Sequence, residues 1–413
     1  MRRLLRAPLP VLVATVLAGL CCAPTKQKPQ EQEIVFWQSW PVEVVAPVVA
    51  EFEAAHPGLR VRVERLAMPV GRERILAALA ADSVPDLCQV GSDSMPGFLA
   101  GSRLADWSAG VADLRPRLRG WELCSMGEAI YGVPWMLDPR VLYYRPMLLA
   151  RAGLDPNRAP ETWEELYRDA AAVQRLGRGV RGFGLPVGEP GALRRQLLPF
   201  LFANGGSLLS ADLRRAAIDS AADVEALEFL LRLRRVGRMA SPDSIEREFR
   251  AGRLGFILAG PRLLARFGDL APDLGRRVGL VPRPRSDQLP TATWGEGQVL
   301  VSFNEAKNKH LALDLARFLV EPKHVLRIGR MAGDGGLPAA VGCDTLALLR
   351  DSPGTTTMIR QLAGARYAPN HPAWPQMEAA IEDEVEQALQ GHKSAADAIR
   401  DAQARLSELV GKR

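Results

Sequence analysis

Residues 33–66, EIVFWQSWPVEVVAPVVAEFEAAHPGLRVRVERL, decide the fold. EIVFW is a short apolar run, and VEVVAPVVAEFEAA carries its apolar residues at helical spacing until HPG stops it. LRVRVERL then alternates strictly, with Leu59, Val61 and Val63 on one face and Arg60, Arg62 and Glu64 on the other. GRERILAALAADS (71–83) is helical again, and PDLCQV (85–90) begins another strand. The order β-α-β-α-β predicts an α/β fold with a parallel sheet and right-handed crossovers. In open sheets of this kind ligands bind outside the carboxyl ends of the strands. Gln38, Ser39 and Trp40 follow the first strand, and Ser92, Asp93 and Ser94 follow the third. Two loops with aromatic faces and hydrogen-bonding groups therefore address one crevice.

Further along, PETWEELYRDAAAVQRLG (160–177) opens on a capping box of Thr162 with Glu165 and closes at Gly177. SAADVEALEFLLRLRRVG (220–237) and SPDSIEREFRAG (241–252) are helices with Ser or Asp caps and terminal glycines. Residues 277–303 read as a strand, a Pro-rich crossing segment and another strand. NEAKNKHLALDLARFLVEP (304–322) and the segment 375–410 are amphipathic helices, the last boxed by Ser394 and Asp397. The chain holds no internal repeat or coiled-coil run.

The chain has 413 residues, 47% hydrophobic and 24% charged, enough for two or more domains with real cores. Its N-terminus reads as an export signal: MRRLLR, the apolar run PLPVLVATVLAGL, too short for a membrane span, then CCAPTKQKPQEQ. The formal charge of +6 falls to +3 once the leader with Arg2, Arg3 and Arg6 is removed, and acids and bases alternate without long one-sign blocks. No nucleic-acid footprint is indicated. Cys88, Cys124 and Cys343 lie in the folded part without C-x-x-C or metal-like spacing. A disulfide between Cys88 and Cys124 and a set of buried free thiols are the two readings.

No G-x-S-x-G, H-E-x-x-H or phosphate loop is present, and His56, His310, His324, His371 and His392 are scattered. GDGG at 333–336 lacks the helix that a dinucleotide fingerprint needs. The carboxylate pairs Glu382 with Asp383 and Glu164 with Glu165 read as solvated helix faces. No catalytic constellation, metal site or cofactor site emerges. Instead Trp37, Trp40, Trp135, Trp294 and Trp374 each stand beside polar groups. Indole faces next to hydrogen-bonding side chains suit sugar rings held in a concave site, with core packing as the competing reading for each residue. Trp107 and Trp163 are assigned to packing.

In order along the chain, FWQSW, FEAAHPGLRVRVE, LAALAADSVPDL, YGVPWMLDPRVLYYRPMLLARAGLD, APETWEELYRDAAAV, FANGGSLLS, FRAGRLGFILAGP, KNKHLALDLARFLVEP, GGLPA and GHKSAADAIRDAQARL resemble the solute-binding proteins of bacterial ABC importers, the family that includes the maltose-binding proteins. The resemblance runs from about residue 33 to the C-terminus. It implies a two-lobed fold of the periplasmic-binding-protein type II with the ligand in a cleft between lobes, hinge closure, and no catalysis. Its lobe boundaries would be 33–139 with 288–339 for the N-terminal lobe and 140–287 with 340–413 for the C-terminal lobe. LAGLCC resembles a lipoprotein cleavage box, which makes residues 1–21 a signal, places the lipid on Cys22 or Cys21, and leaves 22–32 as a tether; ordinary cleavage near Ala23 is the alternative.

Carried over residue by residue, the ligand-facing set is Gln38, Ser39, Trp40, Ser92, Asp93, Ser94, Trp135, Asp138, Arg140, Glu189, Trp294, Gly295, Glu296 and Trp374. Trp40, Trp135, Trp294 and Trp374 would stack on rings, Gln38, Asp93, Asp138 and Glu296 would accept hydroxyl protons, and Arg140 would donate. Interlobe ion pairing of Asp138 with Arg140, and N-capping by Asp93, are the structural alternatives. Two departures stand out: Arg262 where relatives often carry the Trp of GPW, and Arg145 where they carry the Asn of YYN. Arg262 would read a carboxylate or phosphate, shifting the ligand towards an acidic sugar or a glycerophosphate-like compound, or would be solvated. The expected partners are a sugar or oligosaccharide, the transmembrane subunits of a permease and, through the lipid, the membrane; the protein would be a monomer. A secreted carbohydrate-active enzyme is the alternative from another class.

Overall fold

The computed structural model describes residues 32–66, 71–177, 179–263, 278–284, 292–332, 336–343 and 353–411. The leader, most of the tether, both candidate lipidation cysteines, residues 333–335 of GDGG and most of the Pro-rich crossing segment lie outside the described residues.

The opening stretch folds as read: β1 (Gln32–Gln38), α1 (Val42–Ala55), β2 (Leu59–Arg65), α2 (Gly71–Ala80) and β3 (Leu87–Gly91). Strand β1 lies between β2 and β3 and is parallel to both. The alternation in β2 buries Leu59 and Val61 and exposes Arg60 and Arg62. Helix α3 (Met95–Ala100) and three short 3-10 turns lead to the hairpin β4 (Ser125–Met126) and β5 (Ala129–Ile130) and then to β6 (Val133–Pro139). After β7 (Val141–Tyr144) come α4 (Pro146–Arg151), α5 (Trp163–Gln174), β8 (Arg181–Pro186), α6 (Arg194–Ala203), α7 (Ala221–Arg235), β9 (Gly237–Ala240), α8 (Pro242–Arg250) and β10 (Leu254–Ala259). The remainder is β11 (Val278–Gly279), β12 (Thr293–Val301), α9 (Lys309–Leu319), α10 (Pro322–Ala332), β13 (Leu337–Pro338), α11 (Pro353–Leu362), β14 (Ala365–Arg366), α12 (Trp374–Gln390) and α13 (Ala395–Gly411).

Two main sheets result. The first runs β13-β6-β12-β3-β1-β2 with β14 appended to β12, and the second runs β11-β7-β10-β8-β9. The first is mixed rather than purely parallel, because β12 pairs antiparallel with both β3 and β6. The chain leaves the first sheet at Pro139 and enters the second at Val141, so Arg140 stands on the crossing. A second crossing is β12 itself: Trp294 near its start, with Ala292 just before the strand, packs in the core of the second body while Val299, Leu300 and Val301 pack in the first. The fold is thus two-lobed α/β, each lobe with its own main sheet, and the buried cluster of the first sheet continues onto the second through Tyr143, Ile245, Phe249 and Ile257.

Local signals act as read. The Thr162 hydroxyl oxygen accepts from the Glu165 N–H at 3.2 Å, although the Glu165 carboxylate returns to the N–H of Glu161 rather than closing on Thr162. Ser220 and Asp223 form a complete capping box. Trp163 stacks on Phe229 at 4.6 Å and donates its indole N–H to the Pro282 carbonyl at 3.0 Å, a packing role. Of the two readings of the cysteines the second holds: Cys88 and Cys124 are buried thiols outside any disulfide, and Cys343 is buried as well. Cys88 sits within the strand β3, and the Cys124 thiol faces the Gly132 carbonyl at 3.3 Å. Burial pushes both thiols far above the ordinary thiol range.

Candidate functional site between the crossing strands

The site is built around Glu296. Strand β12 brings it across β6, where it lies opposite Asp138 in register. Helix α6 then lays two consecutive arginines against it. Arg194 donates to one carboxylate oxygen at 2.7 Å, the Arg195 Nε reaches both oxygens at 3.0 Å, and Arg140 donates to the other at 2.6 Å. Arg194 also donates to Glu378 on α12, and its guanidinium lies 5.1 Å from the Trp294 ring centre. Glu382, one turn further on, accepts from the N–H groups of Gly191 (2.7 Å) and Arg194 (3.1 Å), so a carboxylate faces the positive end of α6. That role replaces the solvated face expected for Glu382.

Burial alone would raise the Glu296 pKa, but the fields of Arg195, Arg140 and Arg194 outweigh it and hold the carboxyl well below its usual range. Asp138 responds in the opposite direction. Burial raises its pKa against the opposing pull of Arg140, which is 3.7 Å away, and its Oδ1 has no hydrogen-bond partner among the described residues. That oxygen is pressed against Gly260: a Cβ there would lie 1.8 Å from it. Glu378 is also raised, by burial first, against Arg194.

The expected ligand residues fall into separate groups. Asp138, Arg140, Trp294, Glu296 and Trp374 share the charged cluster or its border, and Arg140 is ion-paired to Glu296 more closely than to Asp138. Gly295 packs under Tyr367. Gln38, Ser39, Trp40 and Trp135 form a second group within the first lobe, where Trp40 meets Trp135 edge-on at 4.7 Å. The Gln38 amide is fully buried and clamps the Trp40 backbone, accepting from its N–H at 2.7 Å and donating to its carbonyl at 2.9 Å. In this conformation the Gln38 amide therefore positions the Trp40 loop. The Ser39 N–H is held by Gln89 at 2.9 Å. Ser92 ties β3 to β12, exchanging hydrogen bonds with Gly297 at 2.9 and 3.1 Å. Asp93 does not cap α3; Ser94 occupies the cap position without a side-chain bond and instead donates to Asp93 at 3.5 Å. Asp93, Glu189 and Arg262 are exposed.

The tryptophans meet the packing alternative in this conformation: Trp135 and Trp294 lie in strands, Trp374 opens a helix, and all three are at most 1% exposed. Trp294 is near-parallel to Phe202 at 6.1 Å and to Trp374 at 6.0 Å. Their faces are therefore occupied by one another in this conformation. Their indole N–H groups, however, have no partner among the described residues, and neither has the Arg140 Nε nor the Gln196 carbonyl oxygen on α6. Buried donors without acceptors are costly, of order 1–3 kcal/mol each. The cluster thus combines a carboxylate saturated by three guanidinium groups with several unused donors.

Arg194, Arg195 and Glu378 escaped the sequence reading. Their signal was present in GALRRQLLPFLFA (191–203), where two adjacent arginines interrupt an otherwise apolar helix, and charges in such a helix are buried in need of partners. A groove of about 550 Å³ elsewhere on the first lobe, lined by residues that include Phe52, His56, Arg117, Phe318 and Val341, contains none of the cluster residues. Among the described residues no group of His, Cys, Asp and Glu is placed to hold a metal ion, and no helix is long and apolar enough to cross a membrane.

Residues 39–325 match the family described as bacterial extracellular solute-binding proteins, and the chain belongs to that family. A protein of Brucella abortus (strain 2308) named as a binding protein is 23% identical over 375 residues, covering 87% of this chain and 88% of the relative. Among solved structures, the sugar-binding protein MalE of Xanthomonas citri superposes with a TM-score of 0.81 at 26% identity, covering 92% of this chain and 98% of that one. The cyclic alpha-maltosyl-1,6-maltose binding protein of Arthrobacter globiformis gives 0.80 at 25% identity, over 92% and 99%. The members of this family are binding proteins of the extracellular compartment.

Proposed function

We propose that the chain is the solute-binding component of an ABC importer, capturing a sugar or oligosaccharide between its lobes and delivering it to membrane permease subunits. The observation that carries this reading is the convergence, on the two strands that cross between lobes, of buried indole and guanidinium donors that lack acceptors. The chain's superposition on two sugar-binding proteins supports it. The lobes divide at 139/140 and 339/340, the boundary expected at 287/288 lying outside the described residues, and ligand drives closure by binding the closed arrangement more tightly than the open one. For a ring to stack on Trp294 or Trp374 the two indoles must part, so stacking belongs to the open-to-closed cycle. A lipid on Cys22 or Cys21 anchors the monomeric protein at the membrane, and the ligand is released unchanged.

A second reading of the ligand is favoured by the same cluster. Glu296, the acceptor expected for hydroxyl protons, is already saturated, and among the described residues around the crossing strands the unused donors of Trp135, Trp294, Trp374 and Arg140 outnumber the unused acceptors, Asp138 Oδ1 and the Gln196 carbonyl oxygen. That balance suits an acceptor-rich ligand, an acidic sugar or a glycerophosphate-like compound, more than a neutral polyol. A thermal-shift screen with mono- and oligosaccharides, sugar acids and glycerophosphates separates the two, since a ligand of the native state raises apparent stability. Recovery of the ligand chemically altered would show an enzyme and refute the proposal.

A further inference from the structure

At the end of the second sheet away from the strand carboxyl ends, three separate segments meet: QRLGRGVRG (174–182), RLRRVGR (232–238) and RAGR (250–253). None contains an Asp or Glu. The parallel strands β8, β9 and β10 all start here, and the antiparallel β7 ends here. Backbone bonds fix the proximity: Arg181 N–H to the Arg253 carbonyl at 2.8 Å, Gly182 N–H to Val236 at 2.8 Å, and Arg145 N–H to Gly255 at 3.0 Å. The Gln174 amide reaches the Arg235 carbonyl at 3.4 Å. Arg181 and Arg253 therefore stand at adjacent strand starts, Arg234 and Arg235 end α7 just before β9, and Arg175 follows α5, so five arginines gather at one end of the sheet. Arg145 turns instead over the Phe249 ring.

Arg175, Arg181, Arg234, Arg235 and Arg253 are exposed, and among the described residues no carboxylate pairs with them. Helix dipoles account for a cation in the last turn of α5 and α7. They do not account for Arg181 and Arg253, which stand at strand starts. The nearby carboxylates are already engaged: Glu248 with Arg238 at 2.7 Å and Glu164 with Arg232 at 2.8 Å.

We propose that this arginine rim is a docking surface for an anionic lipid bilayer. Its composition decides the partner class. Protein interfaces centre on buried apolar or aromatic anchors, yet the large exposed hydrophobic side chains, Leu76, Met126, Met147, Met331 and Val341, lie on none of the three segments. Guanidinium forks match phosphate oxygens, and a surface on which the five exposed arginines have no carboxylate partner among the described residues, and which is free of large apolar anchors, fits headgroups. The ligand cleft lies past the other ends of the same strands, at Pro186, Ala240 and Ala259, so a docked rim leaves the cleft open to solvent.

The test is co-sedimentation of the secreted full chain carrying C21S and C22S, so that no acyl group contributes, with vesicles of phosphatidylglycerol and phosphatidylcholine against pure phosphatidylcholine. Each basic side chain at an anionic bilayer raises partition roughly fivefold, so replacing the five exposed arginines by Gln lowers binding to the anionic vesicles by at least about tenfold. Replacement by Lys restores most of it, and raised salt abolishes it. R234Q with R235Q gives a smaller loss in the same direction and serves if the fivefold variant does not fold. Equal binding by the Gln variants, equal binding to both vesicle types, or retention on soluble polyphosphate without vesicle binding overturns the proposal, the last by assigning the rim to an acidic macromolecule.

Discussion

Replacing Glu296 by Gln tests the cluster directly. The carboxylate is 16% exposed and its partners Arg194 and Arg140 are 4% and 13% exposed, so the interaction is largely out of water. A pair of unit charges 4 Å apart is worth about 4 kcal/mol at an effective dielectric of 20, and three such contacts are opposed by the desolvation of four ions. Removing one partner of a buried ionic group typically costs about 3–5 kcal/mol, because the remaining charges stay buried without compensation. Gln keeps one acceptor oxygen but turns an NH2 towards donors, so the cost belongs in that range. For lobes of this size it lowers Tm by roughly 6–20 °C, read by calorimetry.

The pH dependence fixes the sign independently. A carboxyl held below its unfolded value of 4.5 stabilises the fold above that pH and loses its contribution as pH falls through the folded value. The deficit of E296Q therefore shrinks below about pH 4.5. Asp138, raised above its unfolded value of 3.8, contributes stability that is fully present below that value and is lost as pH rises through the folded pKa, so D138N at neutral pH is neutral or stabilising. If E296Q unfolds within about 0.5 kcal/mol of the parent, or D138N costs as much as E296Q, the electrostatic reading is wrong.

Other outcomes follow from the same geometry. Gly260→Ala forces a Cβ onto the Asp138 carboxylate and is expected to cost about 1–3 kcal/mol in denaturant unfolding, with much of the loss recovered in G260A with Asp138→Ala; additive losses would contradict the contact. Gln38→Ala leaves the buried N–H and carbonyl of Trp40 unpaired, costing about 2–4 kcal/mol and altering the near-ultraviolet circular dichroism of the Trp40–Trp135 pair. Ser220→Ala removes a complete capping box and lowers stability by about 1 kcal/mol. Cys88, Cys124 and Cys343 resist alkylation in the native state and all react after unfolding; rapid native labelling would contradict their burial.

The fold was legible wherever periodicity and burial agree. Leu59 and Val61 face inwards because period-two alternation leaves one face of β2 apolar, and the β-α-β-α-β order leads directly to the parallel pairing of β1. The antiparallel strands β12 and β6 were illegible as such, because pairing between residues some 160 apart in sequence leaves no local trace. The tryptophans were ambiguous for a related reason. Polar neighbours in sequence left Trp135 and Trp294 open to ligand stacking or core packing alike, and both are strand residues buried in this conformation. The arginine rim was invisible because its three segments are separated by long stretches, and each alone reads as a helix end or turn.

Glu296 also constrains how the crossing strands can work. A carboxylate saturated by guanidinium groups accepts nothing more, so any guest entering this cluster must either bring acceptors for the unused indole and guanidinium donors or displace Glu296 from its arginines. Displacement exchanges one buried anion for another and is nearly neutral electrostatically only if the guest is itself anionic; a neutral guest that separated the cluster would leave charges unpaired in a dry site. The charge of the guest is therefore selected by what the cluster would lose. Added salt should weaken an anionic guest more than a neutral one, and the steepness of that dependence measures how many guanidinium groups the guest engages.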